Sequence, residues 1–414
     1  MRFVFPLLAA LVFSASLASA QTPSFAEFDR KAKAGERLTV SFFGASLTWG
    51  SNASDQGTTS YRARIAQRLE AKYPDAHFTF RDGAIGGTGS QIAVFRLERD
   101  ALRYKPDLLF LDFTANDDIY SDHPESLASY ESLIRRTLQQ GVPVVQVIFP
   151  FQWNVQNVTQ EQIDSYKRLV AHKELSAYYN TAVGDAVSLI FQKIESGETT
   201  VKDVWPIDGV HPHDVGYAYF ADAAWDALEG AIAEGRECTI PAEMKYAGTY
   251  MAWKRQLVSE LGLPEAWKTG LANVNGRFYD FQPSRWLDEI TVATNGAPAL
   301  EFVFRGSTII LWGETSLDCA RLLVVVDGHL MDNPHYNPKR DTLSSYVYDC
   351  GRQGRTIGGP GYLNLPLFSN LENPDDEHTL LLIPLFDASN PKSEIRIESL
   401  CVAGGKDPAI WAAK

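Results

Sequence analysis

Residues 38–47 read Leu-Thr-Val-Ser-Phe-Phe-Gly-Ala-Ser-Leu. An apolar run, Leu38 to Phe43, stops at Gly44, and Ser46 follows two residues later. A run this short, bounded by glycine, reads as a buried strand. The same unit recurs downstream, separated by segments of helical period. Ser60 to Tyr73 places Ile65, Leu69 and Tyr73 on one helix face. His77 to Phe80 reads as a strand that stops at Asp82-Gly83, and Gln91 to Tyr104 as a helix. Asp107 to Phe113 and Val142 to Phe149 read as buried strands, with a helix from Pro124 to Gln140 between them and another from Asp214 to Glu234. Strands alternating with helices imply a parallel sheet covered on both faces.

Further on the rhythm changes. Leu300–Phe304, Thr308–Trp312, Arg321–Asp327, His378–Leu385 and Glu394–Leu400 are short strand-like runs with Gly-rich turns between them. That pattern implies an antiparallel β-sandwich. Four segments are expected: a signal peptide at 1–20, an α/β domain at 21–240, a helical linker at 241–272 and a β-sandwich at 273–414.

The first segment has Arg2, an apolar run from Phe3 to Phe13 too short to span a bilayer, and Ala18-Ser19-Ala20 at the expected cleavage site. The expectation is export, with cleavage after Ala20, to a secreted or periplasmic location. The 38 basic and 51 acidic residues give a net charge of -13, which disfavours nucleic acid and anionic membranes as partners. Cys238, Cys319, Cys350 and Cys401 lack the spacing of a zinc site. Either disulfides or buried thiols fit them.

Three of the four segments that carry chemistry lie at strand ends, where open parallel sheets bind ligands, and the fourth lies just before the last helix of the α/β half. Ser46 follows the first strand. Alone it reads more readily as a helix cap. Gly86-Gly87-Thr88 follows the second strand and can present backbone N–H groups to an anion. Asn116, after the third, can aim an amide at the same point. Asp208-Gly209-Val210-His211 closes the set. A carboxylate three residues before a histidine can orient one ring nitrogen and leave the other for a serine. His213 lacks that spacing and reads as a helix-start residue.

The order Ser46, Gly87, Asn116, Asp208-x-x-His211 resembles the four blocks of the SGNH, or GDSL, hydrolases, over roughly half the chain from Arg37 to Gly235. The resemblance implies a three-layer α/β/α fold and a serine esterase. In it, Ser46, Asp208 and His211 are catalytic, and Ser46, Gly87 and Asn116 form an oxyanion hole. No cofactor and no metal are implied. Two positions depart from the family pattern: Ala45 replaces the usual aspartate, and Thr114 replaces a glycine. Thr114 is expected to put a Cβ beside the oxyanion hole.

Export and a second β-rich domain are similar to secreted carbohydrate acetyl esterases. They imply an acetylated polysaccharide or oligosaccharide as substrate, with Trp49, Trp153 and Trp205 as sugar-stacking candidates. Two alternatives stand beside this reading. One is a lipase or thioesterase for longer acyl chains. The other is a non-catalytic carbohydrate-binding protein using Trp286, Trp312, Tyr346 or Tyr348. The sequence leaves the oligomeric state open.

Overall fold

The computed structural model of this chain describes residues 22–273, 287–334, 336–339 and 343–413. The expected signal peptide and Trp286 lie outside the described residues. Strands β1 (Arg37–Phe43), β2 (His77–Asp82), β3 (Leu108–Leu111), β4 (Val144–Ile148) and β5 (Ala182–Asp185) form one sheet in the order β2-β1-β3-β4-β5. Every neighbouring pair in it is parallel.

Helices Phe25–Lys33, Tyr61–Lys72, Ala186–Glu195 and Asp214–Ala233 form one covering layer. Ser90–Ala93, Pro124–Gln139 and Lys167–Tyr179 form the other. The central strands β3 and β4 are buried at every position because both faces are covered. Strand β5 escaped the sequence reading: Ala-Val-Gly-Asp is too short and too mixed to stand out as an apolar run.

The second half holds β6 (Trp253–Leu257), β7 (Lys268–Gly270), β8 (Ile290–Thr294), β9 (Leu300–Arg305), β10 (Thr308–Thr315) and β11 (Arg321–Val326). It continues with β12 (His329–Leu330), β13 (Tyr348–Asp349), β14 (Gly361–Phe368), β15 (His378–Leu385), β16 (Glu394–Ala403) and β17 (Ala409–Ala412). Two antiparallel sheets result. One runs β14-β10-β16-β8-β7 with β6 also on β16; the other runs β12-β11-β15-β9-β17 with β13 also on β11.

Side-chain alternation shows how these layers stack. In β10, Ile309 and Leu311 join Phe302, Val324 and Leu380 in the core between the two sheets. Ile310 and Trp312, pointing the other way, join the core of the N-terminal half together with Tyr362, Cys401 and Ala403. The β10 sheet is therefore a middle layer, buried on both faces along β10, whereas β9 and β11 alternate between buried and more open positions. An apolar face of the sandwich is fused to the α/β half.

The segment expected as a helical linker is not helical. It contains two 3₁₀ turns, Gly248–Met251 and Val258–Leu261, and the strands β6 and β7. Gly262, with φ +68°, and Pro264 interrupt any helix there. The open edge of β16 supplies hydrogen bonds to β6, in register from Leu257 opposite Ser399 to Trp253 opposite Ala403. The helix expected over 91–104 is likewise broken, into Ser90–Ala93, Leu97–Asp100 and a 3₁₀ turn at Leu102–Tyr104. Cys238, Cys319, Cys350 and Cys401 are buried free thiols.

Candidate active site

Strand β1 ends at Phe43, and the chain turns at Gly44-Ala45 into a one-turn helix, Ser46–Trp49. A Cβ at Gly44 would lie 2.7 Å from the Asp112 carbonyl oxygen, so only glycine lets β1 turn this close to the end of β3. Gly50, at φ +95°, stops the helix after that single turn. Ser46 thus sits in the first turn of a helix, where N–H groups lack intrahelical acceptors.

The loop before helix Asp214–Ala233 reaches Ser46 from the far end of the same half. His211 Nε2 lies 3.0 Å from Ser46 Oγ, and His211 Nδ1 lies 3.3 Å from Asp208 Oδ2. With Nδ1–H donating to Asp208, Nε2 accepts from the Ser46 hydroxyl. Asp208 is itself held. Its Oδ1 accepts the backbone N–H groups of Val210 (2.7 Å) and His211 (2.8 Å), and its Oδ2 accepts the Asn52 amide (2.8 Å). Burial alone would raise the Asp208 pKa. The His211 backbone N–H, the Asn52 amide and the Val210 N–H outweigh it and hold the carboxyl below its ordinary value. Burial lowers the His211 pKa, with the Asp208 charge opposing, so the net shift is downward and the imidazole is kept neutral as a proton acceptor.

Gly87 has φ +74°, and a Cβ there would lie 2.3 Å from the Tyr362 hydroxyl oxygen. Glycine is required twice over, once by backbone conformation and once by a side chain from the sandwich. Gly87 and the half-buried Asn116 both line a cleft of about 880 Å³ between the two halves. Its far wall is β10 and β14, through Thr308, Ile310, Tyr362 and Asn364. The arrangement can take a proton from Ser46 and present donors to an oxyanion formed nearby.

The other sequence candidates divide. Trp153 is 48% exposed, packs against Phe151 and approaches Gly209 of the Asp208–His211 loop. Trp49 is half-buried and its carbonyl accepts from Arg62 (3.1 Å). Trp205 is a correction: it is 4% exposed, inside the core of the α/β half, and offers no face to a sugar. Thr114 is buried, with its hydroxyl 2.8 Å from His172 Nδ1. Ala45, where the family carries aspartate, is a core residue. His213 stands at the N-cap of helix Asp214–Ala233. Trp312 and Tyr348 are buried, and Tyr346 is exposed.

Sequence reasoning passed over Asn52 and Tyr362. Asn52 left a faint signal, since asparagine is among the few residues that tolerate its φ of +68°. Tyr362 left none, because its role depends on how the halves meet. Among the described residues, no group of three or more His, Cys, Asp or Glu is arranged to hold a metal, and no helix is long and apolar enough to cross a membrane.

Comparison with known proteins bears on this site. Residues 42–219 match the GDSL-like lipase/acylhydrolase family. No curated protein matches the chain. A crystal structure of a two-domain esterase active on acetylated mannans, co-crystallised with mannopentaose, is 22% identical. It aligns over 92% of this chain and 94% of its own, with a TM-score of 0.70. A second crystal structure of a two-domain esterase active on acetylated mannans gives 21% identity, 92% and 95% coverage and a TM-score of 0.68. An acetylxylan esterase from Geobacillus stearothermophilus is 21% identical over 46% of this chain and 94% of its own, with a TM-score of 0.38. At these identities the likeness to the two-domain structures is one of fold, and it spans both halves.

Proposed function

We propose that this chain, whose residues 42–219 match the GDSL-like lipase/acylhydrolase family, is an exported carboxylic ester hydrolase that removes O-acetyl groups from an acetylated polysaccharide. The observation that carries the mechanism is the hydrogen-bonded series Ser46–His211–Asp208; Gly87 and Asn116 line the cleft between the halves. His211 Nε2 takes the Ser46 proton as Oγ attacks the acetyl carbonyl. The N–H groups of Ser46 and Gly87 and the Asn116 amide receive the oxyanion. The tetrahedral intermediate collapses, His211 gives the proton to the leaving sugar hydroxyl, and an acetyl-Ser46 ester remains. Water repeats the cycle through His211 and releases acetate.

Support for the substrate comes from the two-domain likeness to an esterase active on acetylated mannans. The cleft adds to it, being open, walled by both halves and fringed by polar groups. Trp153, and to a lesser extent Trp49, supply aromatic surface for sugar rings. Export rests on the N-terminal segment alone.

The test is acetate release from acetylated mannan and acetylated xylan, together with p-nitrophenyl esters from acetate to octanoate. The expected result is a preference for acetate and loss of turnover by about 10⁴-fold or more in Ser46→Ala. Full activity of Ser46→Ala overturns the nucleophile assignment; a preference for octanoate overturns the acetyl assignment.

A further inference from the structure

Arg96 interrupts the segment that the sequence presents as one helix, standing between Ser90–Ala93 and Leu97–Asp100. It is almost wholly buried. Its Nη1 donates to the Gly83 carbonyl (2.8 Å) and to Asp100 Oδ2 (2.9 Å). Its Nη2 donates to the Gly44 carbonyl (3.1 Å) and to Thr88 Oγ1 (3.2 Å). Three of these acceptors surround the machinery described above. Gly44 lies two residues before Ser46, while Gly83 and Thr88 bracket the turn that carries Gly87.

The Thr88 hydroxyl donates to the Ile85 carbonyl (2.7 Å), so its oxygen is oriented to accept from Arg96. The Gly44 carbonyl also accepts the Ile85 N–H (3.1 Å), so one oxygen gathers both a loop amide and the guanidinium. Phe43 and Phe113 flank the guanidinium, with ring centroids 4.7 and 6.0 Å away. Trp312, Arg255 and Cys401 of the second half close in from the other side.

We propose that Arg96 is a positioning residue that fixes the distance between the Ser46 end of β1 and the Gly87 turn, and so the geometry of the oxyanion hole. This rests on the reading of Ser46 and Gly87 given above. A planar fork with fixed donor directions can hold three acceptors on two separate segments; a lysine ammonium at the same charge cannot hold them at the same angles. A role limited to neutralising Asp100 would need only the charge. Lysine therefore separates positioning from bulk stability.

The experiment uses the full chain with Arg96→Lys, Arg96→Gln and Thr88→Val, each assayed well below its own thermal midpoint. Two readouts are compared. One is steady-state hydrolysis of p-nitrophenyl acetate. The other is the rate of Ser46 phosphorylation by diethyl p-nitrophenyl phosphate, in which Oγ bonds to phosphorus, p-nitrophenolate leaves and His211 takes the serine proton.

For Arg96→Lys the expected result is a fall in kcat of about 30-fold, with KM within about twofold and a matching fall in the phosphorylation rate, as for an interaction felt mainly in the transition state. Thr88→Val, which removes one acceptor and keeps the cation, should lose roughly three- to fivefold on both readouts. Wild-type kcat in Arg96→Lys overturns the proposal. So does a change in KM alone. If both Arg96 variants fail to fold, Thr88→Val decides, and unaltered rates in that variant overturn it. A wild-type protein that neither hydrolyses the ester nor reacts with the phosphate overturns the Ser46 reading instead, a result distinct from any Arg96 outcome.

Discussion

Two clusters of charged and polar side chains, one in each half of this protein, serve different ends. In the α/β half one cluster lies beneath the carboxyl ends of β1 and β3. Asp112 accepts from Thr48 (2.9 Å), the half-buried Asp117 from the Ser90 N–H (2.8 Å), and Arg96 spans Gly44 and the Gly87 turn. In the second half the other pins connecting segments to a sheet. Glu314 on β10 pairs with Arg396 on β16 (2.7 Å) and accepts the Asn273 N–H, while Arg396 also donates to the Leu271 carbonyl. Desolvation is costly in both places. The first cluster holds strand-end loops in a fixed array; the second anchors the crossing between halves, as Glu131 of the α/β half also does by accepting the Lys245 and Tyr246 N–H groups.

That contrast can be broken by mutation. Asp208→Asn should lose about 10³- to 10⁴-fold in kcat, because the amide no longer fixes the His211 tautomer. Its pH profile carries a sign. His211 must be neutral to accept the Ser46 proton, so activity falls as pH drops through the His211 pKa. Burial already sets that pKa low, and Asp208 opposes the shift. Removing the Asp208 charge should therefore move the acid limb of kcat/KM to still lower pH; a limb that moves up contradicts the geometry.

Arg396→Met should leave kcat of the folded protein unaltered and cost about 3–5 kcal/mol of stability in urea unfolding, since it strands Glu314 without its cation. A matching loss of kcat would erase the division of labour between the two clusters.

The smallest effect is expected from Asp112→Asn. Burial, partly offset by the Thr48 hydroxyl, pushes the Asp112 carboxyl up to about 7. An acid whose folded pKa is raised contributes stability that is full below its unfolded pKa near 4 and declines as pH rises toward 7. Asparagine cannot ionise, so the variant should gain roughly 1–3 kcal/mol over the wild type at pH 8 and little at pH 4.5. Urea midpoints at those two pH values measure the difference. A larger gain at pH 4.5 would reverse the sign.

Legibility in the sequence followed burial. β1, β3 and β4 stood out because strands covered on both faces are mostly apolar, interrupted here only by Thr39 and Ser41 in β1 and Gln146 in β4. β15 was legible for another reason, as one of a series of short runs between turns; its sequence, His-Thr-Leu-Leu-Leu-Ile-Pro-Leu, does not alternate although its burial does. β6 was hidden, since Trp-Lys-Arg-Gln-Leu becomes a strand only when the β16 edge offers it partners. Ser46, Gly87 and Asn116, at strand ends, and Asp208-x-x-His211 further on could be named because their order resembles that of the SGNH hydrolases. Trp205 misled because an aromatic in a loop-like stretch looks the same whether the loop faces solvent or core. Arg96 read as one more polar residue on a helix.

The sequence by itself determined that an α/β unit is followed by a β-rich one, and which side chains could form a serine, histidine and carboxylate set. Period and spacing carry that information, because they reflect local backbone geometry and burial. Only the tertiary structure decided that one sheet of the sandwich is a buried middle layer and that Tyr362 meets Gly87. It alone also showed that Asn52 holds Asp208 and that Arg96 joins the two strand-end loops. Each of these is a contact between segments far apart in the chain, formed by packing and invisible to any local pattern.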